Sequence, residues 1–204
     1  MIAVVDYGVG NLFSLTCSLR YLHMDAAVTG DAGEIQRAEK LILPGVGAFG
    51  NAMDKLEKAG LLPALHAFRA SGRPILGICL GMQLLFEKSY EYGTHAGLGW
   101  LPGEIRPLPQ GENDLKVPEM GWNSLEVRRP EDPLMTYTED GAYVYYVHSY
   151  YATACESSLV AGSRYGVFVP GVVHSGNVYG TQFHPEKSGE VGLNILRAFG
   201  EVAV

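Results

Sequence analysis

Cys79 stands between two glycines in Gly77-Ile78-Cys79-Leu80-Gly81, after the apolar run from Pro74 to Ile78 and before Met82-Gln83. A nucleophile spaced as G-x-C-x-G between a strand and a helix defines an elbow, a turn that pushes the side chain out of the sheet. The two glycines let neighbouring backbone approach without a Cβ clash, while the nucleophile itself takes a strained conformation. The thiol then sits at a helix N-terminus, whose positive end favours thiolate over thiol. Backbone N–H groups of Leu80 and its neighbours point outward there and can hold an oxyanion. A pattern this short also occurs around cysteines that are simply small buried hydrophobes. The elbow needs a base to decide between the two.

Six histidines are available: His23, His66, His95, His148, His174 and His184. His23 and His66 fall in or near expected helices, and His95 in a Gly-rich loop. His174 has no carboxylate nearby in sequence, and His148 follows a strand rich in Tyr and Val. His184 differs, because it ends the apolar segment Tyr179-Gly180-Thr181-Gln182-Phe183 and is followed by Pro185-Glu186. Strand ends at the carboxyl edge of an α/β sheet are where such folds place ligands and chemistry. Pro185 keeps His184 extended, and the Glu186 carboxylate can fold back onto the imidazole. A carboxylate on Nδ1 sets the tautomer and leaves Nε2 to take a thiol proton. Cys79, His184 and Glu186 thus form a coherent triad on paper, although His-Pro-Glu is also an ordinary polar turn, and no spacing rule brings Cys79 to His184.

The elements that must position these groups read as an α/β fold. It is an open, mostly parallel sheet with flanking helices and antiparallel strand additions in the C-terminal half. Ile2 to Val5, Leu41 to Leu43 and Pro74 to Ile78 are expected as buried strands. Helical spacing joins Leu12, Leu15, Leu19 and Leu22, then Phe49, Met53 and Leu56. Leu80 to Glu87 opens a further helix. After Gly93 the chain turns rich in Gly, Pro, aromatic and β-branched residues, with strands expected at Leu125 to Val127, Tyr143 to Val147, Leu159 to Ala161 and Val178 to Phe183. Ser188 to Phe199 closes the chain as a helix, with Ser188 as its N-cap. Nothing resembles a linker or repeat, so residues 1–204 are expected to form one domain.

Composition narrows the function. A net charge of −7 gives no support to nucleic-acid binding, which rests on clustered Lys and Arg. No apolar run of about 18 residues suggests a membrane span, and Met1 to Val5 lacks the basic start of a signal peptide. Cys17, Cys79 and Cys155 form no CxxC pair, which argues against a metal site or a disulfide framework and for a reducing, cytoplasmic setting.

Taken together, the segments resemble the class I glutamine amidotransferases, and within them the branch of glutaminase subunits of imidazole glycerol phosphate synthase. The resemblance runs through Asp6-Tyr7-Gly8, Leu43 to Phe49, Gly77 to Gln83, Met120-Gly121-Trp122-Asn123, Tyr146 to Tyr150 and Gly180 to Ser188. It implies that Cys79 attacks the glutamine carboxamide, His184 shuttles the proton and Glu186 orients His184. It implies an oxyanion site at Val46, Gly47 and Leu80, with glycines flanking Val46 so that its peptide can rotate. Gly45, Gln83, Ser149 and Tyr150 are implied to hold the glutamine, with His148 structural rather than catalytic. Trp122 and Lys187 are implied to face a synthase (cyclase) subunit in a heterodimer that receives the ammonia. No cofactor is implied. The chain departs from the family pattern at Glu119, where many members carry histidine, and that acid would change charge pairing at the interface.

Two other readings remain. A glutaminase of the same class could serve another pathway, such as pyridoxal phosphate synthesis. The Val117-Pro118-Glu119-Met120-Gly121-Trp122-Asn123 and Tyr146 to Tyr151 segments favour histidine biosynthesis over it. A non-catalytic redox module would also keep a reactive elbow cysteine, but it needs no His184 and Glu186 to move a proton.

Overall fold

The computed structural model describes residues 1–110 and 115–203. The first part of the chain alternates strand and helix: β1 (Ile2–Val5), α1 (Leu12–Tyr21), β2 (Ala26–Thr29), α2 (Ala32–Arg37), β3 (Lys40–Leu43), α3 (Phe49–Lys58), α4 (Leu62–Ala70), β4 (Ile75–Ile78) and α5 (Leu80–Leu84). Strands then dominate: β5 (Phe86–Ser89), β6 (His95–Ala96), β7 (Leu101–Pro107), β8 (Glu119–Ser124), β9 (Glu126–Val127), β10 (Tyr143–His148), β11 (Tyr150–Thr153), β12 (Leu159–Tyr165), β13 (Val167–Ser175) and β14 (Val178–Thr181), before α6 (Gly189–Glu201).

The main sheet has the order β2-β1-β3-β4-β14-β13-β12-β9. It is parallel from β2 to β14, and β13, β12 and β9 extend it antiparallel. This is the expected mostly parallel sheet with antiparallel additions. The parallel strands are apolar on both faces because helices cover both. Ala3, Val5, Leu41, Leu43 and Ile75 join one core with Ile35, Phe49, Leu56 and Phe68 from α2, α3 and α4. Ile2, Val4, Ile42, Leu76 and Ile78 join the other with Leu15 and Leu19 of α1 and Ile195 and Phe199 of α6. A two-stranded ribbon, β10 with β8, lies against this second core through Val144 and Tyr146, and a four-stranded sheet, β11-β7-β5-β6, adjoins the first.

Two expectations need correction and one needs refining. The helix opened by Leu80 stops at Leu84 instead of running on to Glu87. The returning loop takes its terminal carbonyls, with Leu98 N–H donating to Leu84 O at 2.8 Å and Trp100 N–H to Leu85 O at 2.8 Å. Phe86 to Ser89 then runs as β5, with Phe86 and Ser89 buried and Glu87 exposed, paired with β7 through a register shift between Phe86 and Lys88. Ser188 holds the N-cap position of α6 as expected, and its carbonyl accepts from Gly192 N–H at 3.2 Å, but its side chain makes no capping hydrogen bond. Its Oγ instead donates to His184 O at 2.7 Å and accepts from Tyr145 N–H at 2.9 Å, tying the end of the main sheet to the ribbon. The strand expected from Val178 to Phe183 ends at Thr181, leaving Gln182 and Phe183 as a buried extension toward His184.

The neighbours β3, β4 and β14 run parallel in this order. Leu43 lies level with Gly77, and Ile78 with Thr181. The Pro44–Gly47 loop, Cys79 and His184 therefore leave the same edge of the sheet side by side.

Candidate active site

Cys79 has φ 54 and ψ −111, a left-handed conformation that side chains other than glycine avoid. The surroundings that hold it there explain both flanking glycines. A Cβ on Gly81 would stand 1.8 Å from the Leu43 carbonyl oxygen, and one on Gly77 would stand 2.7 Å from Met82 N. Cys79 N–H donates to Thr181 O at 2.7 Å, and Gln83 N–H to Cys79 O at 3.1 Å. The elbow is thus locked between β3 and β14. With only five residues, α5 offers less than a full macrodipole, so the local N–H groups matter more than the helix as a whole.

The loop before α3 is asymmetric. Gly47 has φ +97 and nothing within 4 Å of a Cβ position, so its peptide has room to turn. Gly45 is packed instead, with a Cβ position 2.9 Å from Gly81 N, Leu80 Cβ and Tyr7 Oη. Its glycine serves close approach, not rotation. Tyr7 donates to Pro44 O at 2.7 Å from behind the loop, and burial together with the nearby Cys79 pushes the Tyr7 hydroxyl well above its usual range.

A cavity of about 360 Å³ opens over the elbow, lined among others by Val46, Gly47, Cys79, Leu80, Gln83 and His184. Ser149, Tyr150 and Lys187 also reach it. Gly45 stands behind the wall, and so does Glu186. His184 Nδ1 is 2.8 Å from Glu186 Oε1, with both side chains buried. His184 Nε2 is buried and has no hydrogen-bond partner among the described residues. Burial opposes its charged form, but Cys79 and Glu186 outweigh that and raise the His184 pKa to about 9. An imidazole with one nitrogen held by a carboxylate and the other open beside a strained thiol can pass a proton between sulfur and a bound molecule.

Gln83 donates through Nε2 to Tyr150 O and to Gln182 Oε1, each at 2.9 Å, so its Oε1 is what remains for a ligand. Trp122 is 56% exposed and packs edge-on against Tyr145, while Lys187 Nζ lies 6.0 Å from the centre of the Tyr145 ring. Glu119 corrects the expectation of altered interface charge: it is 2% exposed and its Oε2 is 3.0 Å from His148 Nε2, so its charge is used inside the protein.

Glu91 and Gln182 are site residues that sequence reasoning missed. Glu91 lines the cavity and accepts from Phe49 N–H at 2.5 Å, and burial raises its pKa. Its place in a turn rich in Tyr and Gly gave no signal. Gln182 turns Nε2 toward Cys79 Sγ at 3.8 Å. Its position two residues before His184, on a segment otherwise apolar, was the available clue.

The profile of the family described as glutamine amidotransferase class-I matches residues 3–201. A protein named imidazole glycerol phosphate synthase subunit HisH from Listeria monocytogenes is 48% identical over 202 residues, covering 99% of this chain and 96% of its own length. One of the same name from Bacillus cereus is 54% identical over 200 residues, covering 98% of this chain and 93% of its own length. Among solved structures, PurLQS from Thermotoga maritima aligns with a TM-score of 0.74 at 22% identity, over 97% of this chain and 96% of that one. A glutamine amidotransferase crystal structure aligns with a TM-score of 0.75 at 19% identity, over 98% of this chain and all of the other. The chain belongs to the class-I glutamine amidotransferases, and their fold is its fold. The relatives that match it end to end at about half identity carry the name of one synthase subunit.

Proposed function

We propose that this chain hydrolyses glutamine to glutamate and ammonia, and delivers the ammonia to a synthase (cyclase) subunit. That subunit makes imidazole glycerol phosphate and aminoimidazole carboxamide ribotide in histidine biosynthesis. The observation that carries the chemistry is the His184 ring, held at Nδ1 by Glu186 and open at Nε2, in one cavity with the strained Cys79. The pathway and partner rest on the printed names of the full-length relatives.

With the thiol proton already passed to His184, the sulfur of Cys79 attacks the side-chain amide carbon of glutamine. The carbonyl oxygen gains the negative charge, which N–H groups at Val46, Gly47 and Leu80 take up. His184 returns its proton to the leaving nitrogen, the C–N bond breaks, and ammonia departs from a glutamyl thioester. His184 then draws a proton from water, whose oxygen attacks the thioester, and the C–S bond breaks to release glutamate and restore the thiol. Glu186 keeps His184 in the tautomer this requires. Gln83, Ser149 and Tyr150 hold the glutamine backbone, and the Glu91 carboxylate meets its ammonium group.

Trp122, Met120 and Tyr143 are each more than half exposed on the ribbon beside the cavity, an aromatic patch suited to a protein partner. With Lys187 they form the face for the synthase subunit in a heterodimer. A shielded path between the two subunits keeps ammonia unprotonated, since bulk water at neutral pH would convert most of it to ammonium. The three free cysteines suit the cytoplasm. Among the described residues no helix is long and apolar enough to cross a membrane.

The test is glutamate release by the purified chain, alone and with the synthase subunit carrying its ligand. Cys79→Ala should abolish release in both while still binding the partner, and turnover at the wild-type rate by this variant would rule the mechanism out.

A further inference from the structure

Glu119 and His148 face each other directly across β8 and β10, and both are buried. Glu119 Oε1 accepts from Asn123 Nδ2 at 3.0 Å, and its Oε2 lies 3.0 Å from His148 Nε2. His148 Nδ1 lies 2.9 Å from the carbonyl oxygen of Tyr150. A carbonyl only accepts, so Nδ1 must carry a hydrogen. One proton then lies between Nε2 and Oε2, and neither ring nitrogen is left to serve as a base.

The same carbonyl accepts a second hydrogen bond from Gln83 Nε2 at 2.9 Å, which fills its two lone pairs. That contact sets which end of the Gln83 amide points inward. Gln83 Nε2 also donates to Gln182 Oε1 at 2.9 Å, which in turn fixes the Gln182 amide with Nε2 aimed at Cys79 Sγ, 3.8 Å away. Every direction in this chain follows from the Tyr150 carbonyl being acceptor only. The end result is an N–H donor facing the sulfur, where negative charge gathers once the thiol gives up its proton.

We propose that Glu119 and His148 are positioning residues for the glutamine cavity: they clamp the Tyr150 carbonyl and, through Gln83 and Gln182, orient a hydrogen-bond donor onto Cys79. The proposal rests on reading the cavity as a glutaminase site and adds to it a buried pair on the ribbon whose outer face carries Trp122. Neither residue hydrogen-bonds Cys79 or His184, although His148 lines the cavity; the pair acts through the Tyr150 carbonyl. Its effect is on substrate binding and on the reactivity of the sulfur.

The test uses the protein with its synthase subunit and compares Glu119→Ala, Glu119→Asp and Glu119→Gln. Kinetic constants for glutamine are measured together with the alkylation rate of Cys79 by iodoacetamide, read by mass spectrometry on its peptide. Glu119→Ala leaves His148 Nε2 unpaired, and KM should rise about tenfold with a matching fall in alkylation rate, the scale of a lost buried hydrogen bond. Glu119→Gln should stay within about twofold of wild type, because its amide N–H can donate to Nε2 of a neutral His148 and keep Nδ1–H on the carbonyl. Glu119→Asp draws the carboxylate back by one methylene and should fall between, so it decides the question if the alanine variant does not fold. Wild-type KM and alkylation in the alanine and aspartate variants would overturn the proposal, and so would a glutamine variant as impaired as alanine. Failure of the glutaminase reading would look different, with glutamate release surviving in Cys79→Ala.

Discussion

Two buried histidine–glutamate pairs stand at the same cavity, and they are wired in opposite ways. In one, His184 gives Nδ1 to Glu186 and leaves Nε2 without a partner. In the other, His148 has Nε2 against Glu119 and Nδ1 against the Tyr150 carbonyl, so its valences are closed. Both pairs place an imidazole beside a carboxylate in a dry setting. Under the proposed mechanism, what separates a proton carrier from a clamp is therefore not the pair but the open nitrogen. The reason lies in the backbone. His184 sits past the end of β14 at the sheet edge, where its second nitrogen meets the cavity. His148 ends β10 inside the ribbon register, and the chain runs on through Ser149 into β11, whose first residue supplies a carbonyl.

The sharpest way to break this comparison is to remove each imidazole in turn. His184→Asn should lower glutamate release by at least about 10³-fold, as expected when a nucleophile loses its base. His148→Asn should lower kcat/KM by only about tenfold, mostly through KM. Equal losses in the two variants, measured by steady-state kinetics on folded protein, would mean that the open nitrogen is not what matters. Next in size is Glu186→Gln. The amide keeps the shape but no longer favours the imidazolium, and kcat should fall roughly 10²- to 10⁴-fold with KM little changed. A loss confined to KM would assign Glu186 to binding instead.

Much of this site was legible in the sequence, and the part that was not has a physical cause. The elbow could be read because Gly77, Cys79 and Gly81 meet a steric demand that is local to a few residues. His184 and Glu186 could be read because a strand end, a proline and an acid fall within one turn. The strands β1, β3 and β4 are apolar on both faces, so they stand out as runs. By contrast β2 and α2 escaped notice: Ala26 to Thr29 is only partly covered, and α2 buries a single residue, Ile35, too little for a period to show. The Glu119–His148 clamp was invisible because its partners come from strands 29 positions apart, and the sequence does not state a cross-strand register. Helix α5 was read too long because its end is set by a distant loop that takes its carbonyls, not by any stop signal of its own.

A smaller effect sharpens the comparison through pH. With its pKa raised to about 9, His184 stays charged across the neutral range in the free protein. The favourable interactions behind that shift stabilise the fold fully below the unfolded value near 6.5 and are lost as pH rises through about 9. Glutaminase kcat/KM should fall over the same upper range, because the imidazolium that protonates the departing ammonia disappears. Glu186→Gln removes one of the two groups that raise the value, so its upper limb should move to lower pH. A limb that stays in place in the variant would show that Glu186 does not hold the proton on His184.

The smallest effect comes from a third histidine–acid pair, which serves as a control outside the cavity. His174 has Nδ1 2.7 Å from Asp132 Oδ2 and Nε2 2.8 Å from Gly176 O, and its ring stacks on Tyr179 at 3.9 Å. Like His148 it has closed valences, but it does not line the cavity. Its carboxylate partner also accepts from Leu134 N–H at 3.1 Å, so the pair pins the short turn at Pro133–Met135 beneath α6. His174→Gln should therefore leave kcat and KM for glutamine unchanged. It should cost about 1–2 kcal/mol of stability through the lost hydrogen bond and ring stacking, a fall of roughly 2–8 °C in melting temperature for a chain this size. Calorimetry and steady-state kinetics on the same sample separate the two quantities. A change in kcat/KM at full folding would show that a closed pair can act on the cavity from a distance, and location would no longer distinguish His148 from His174.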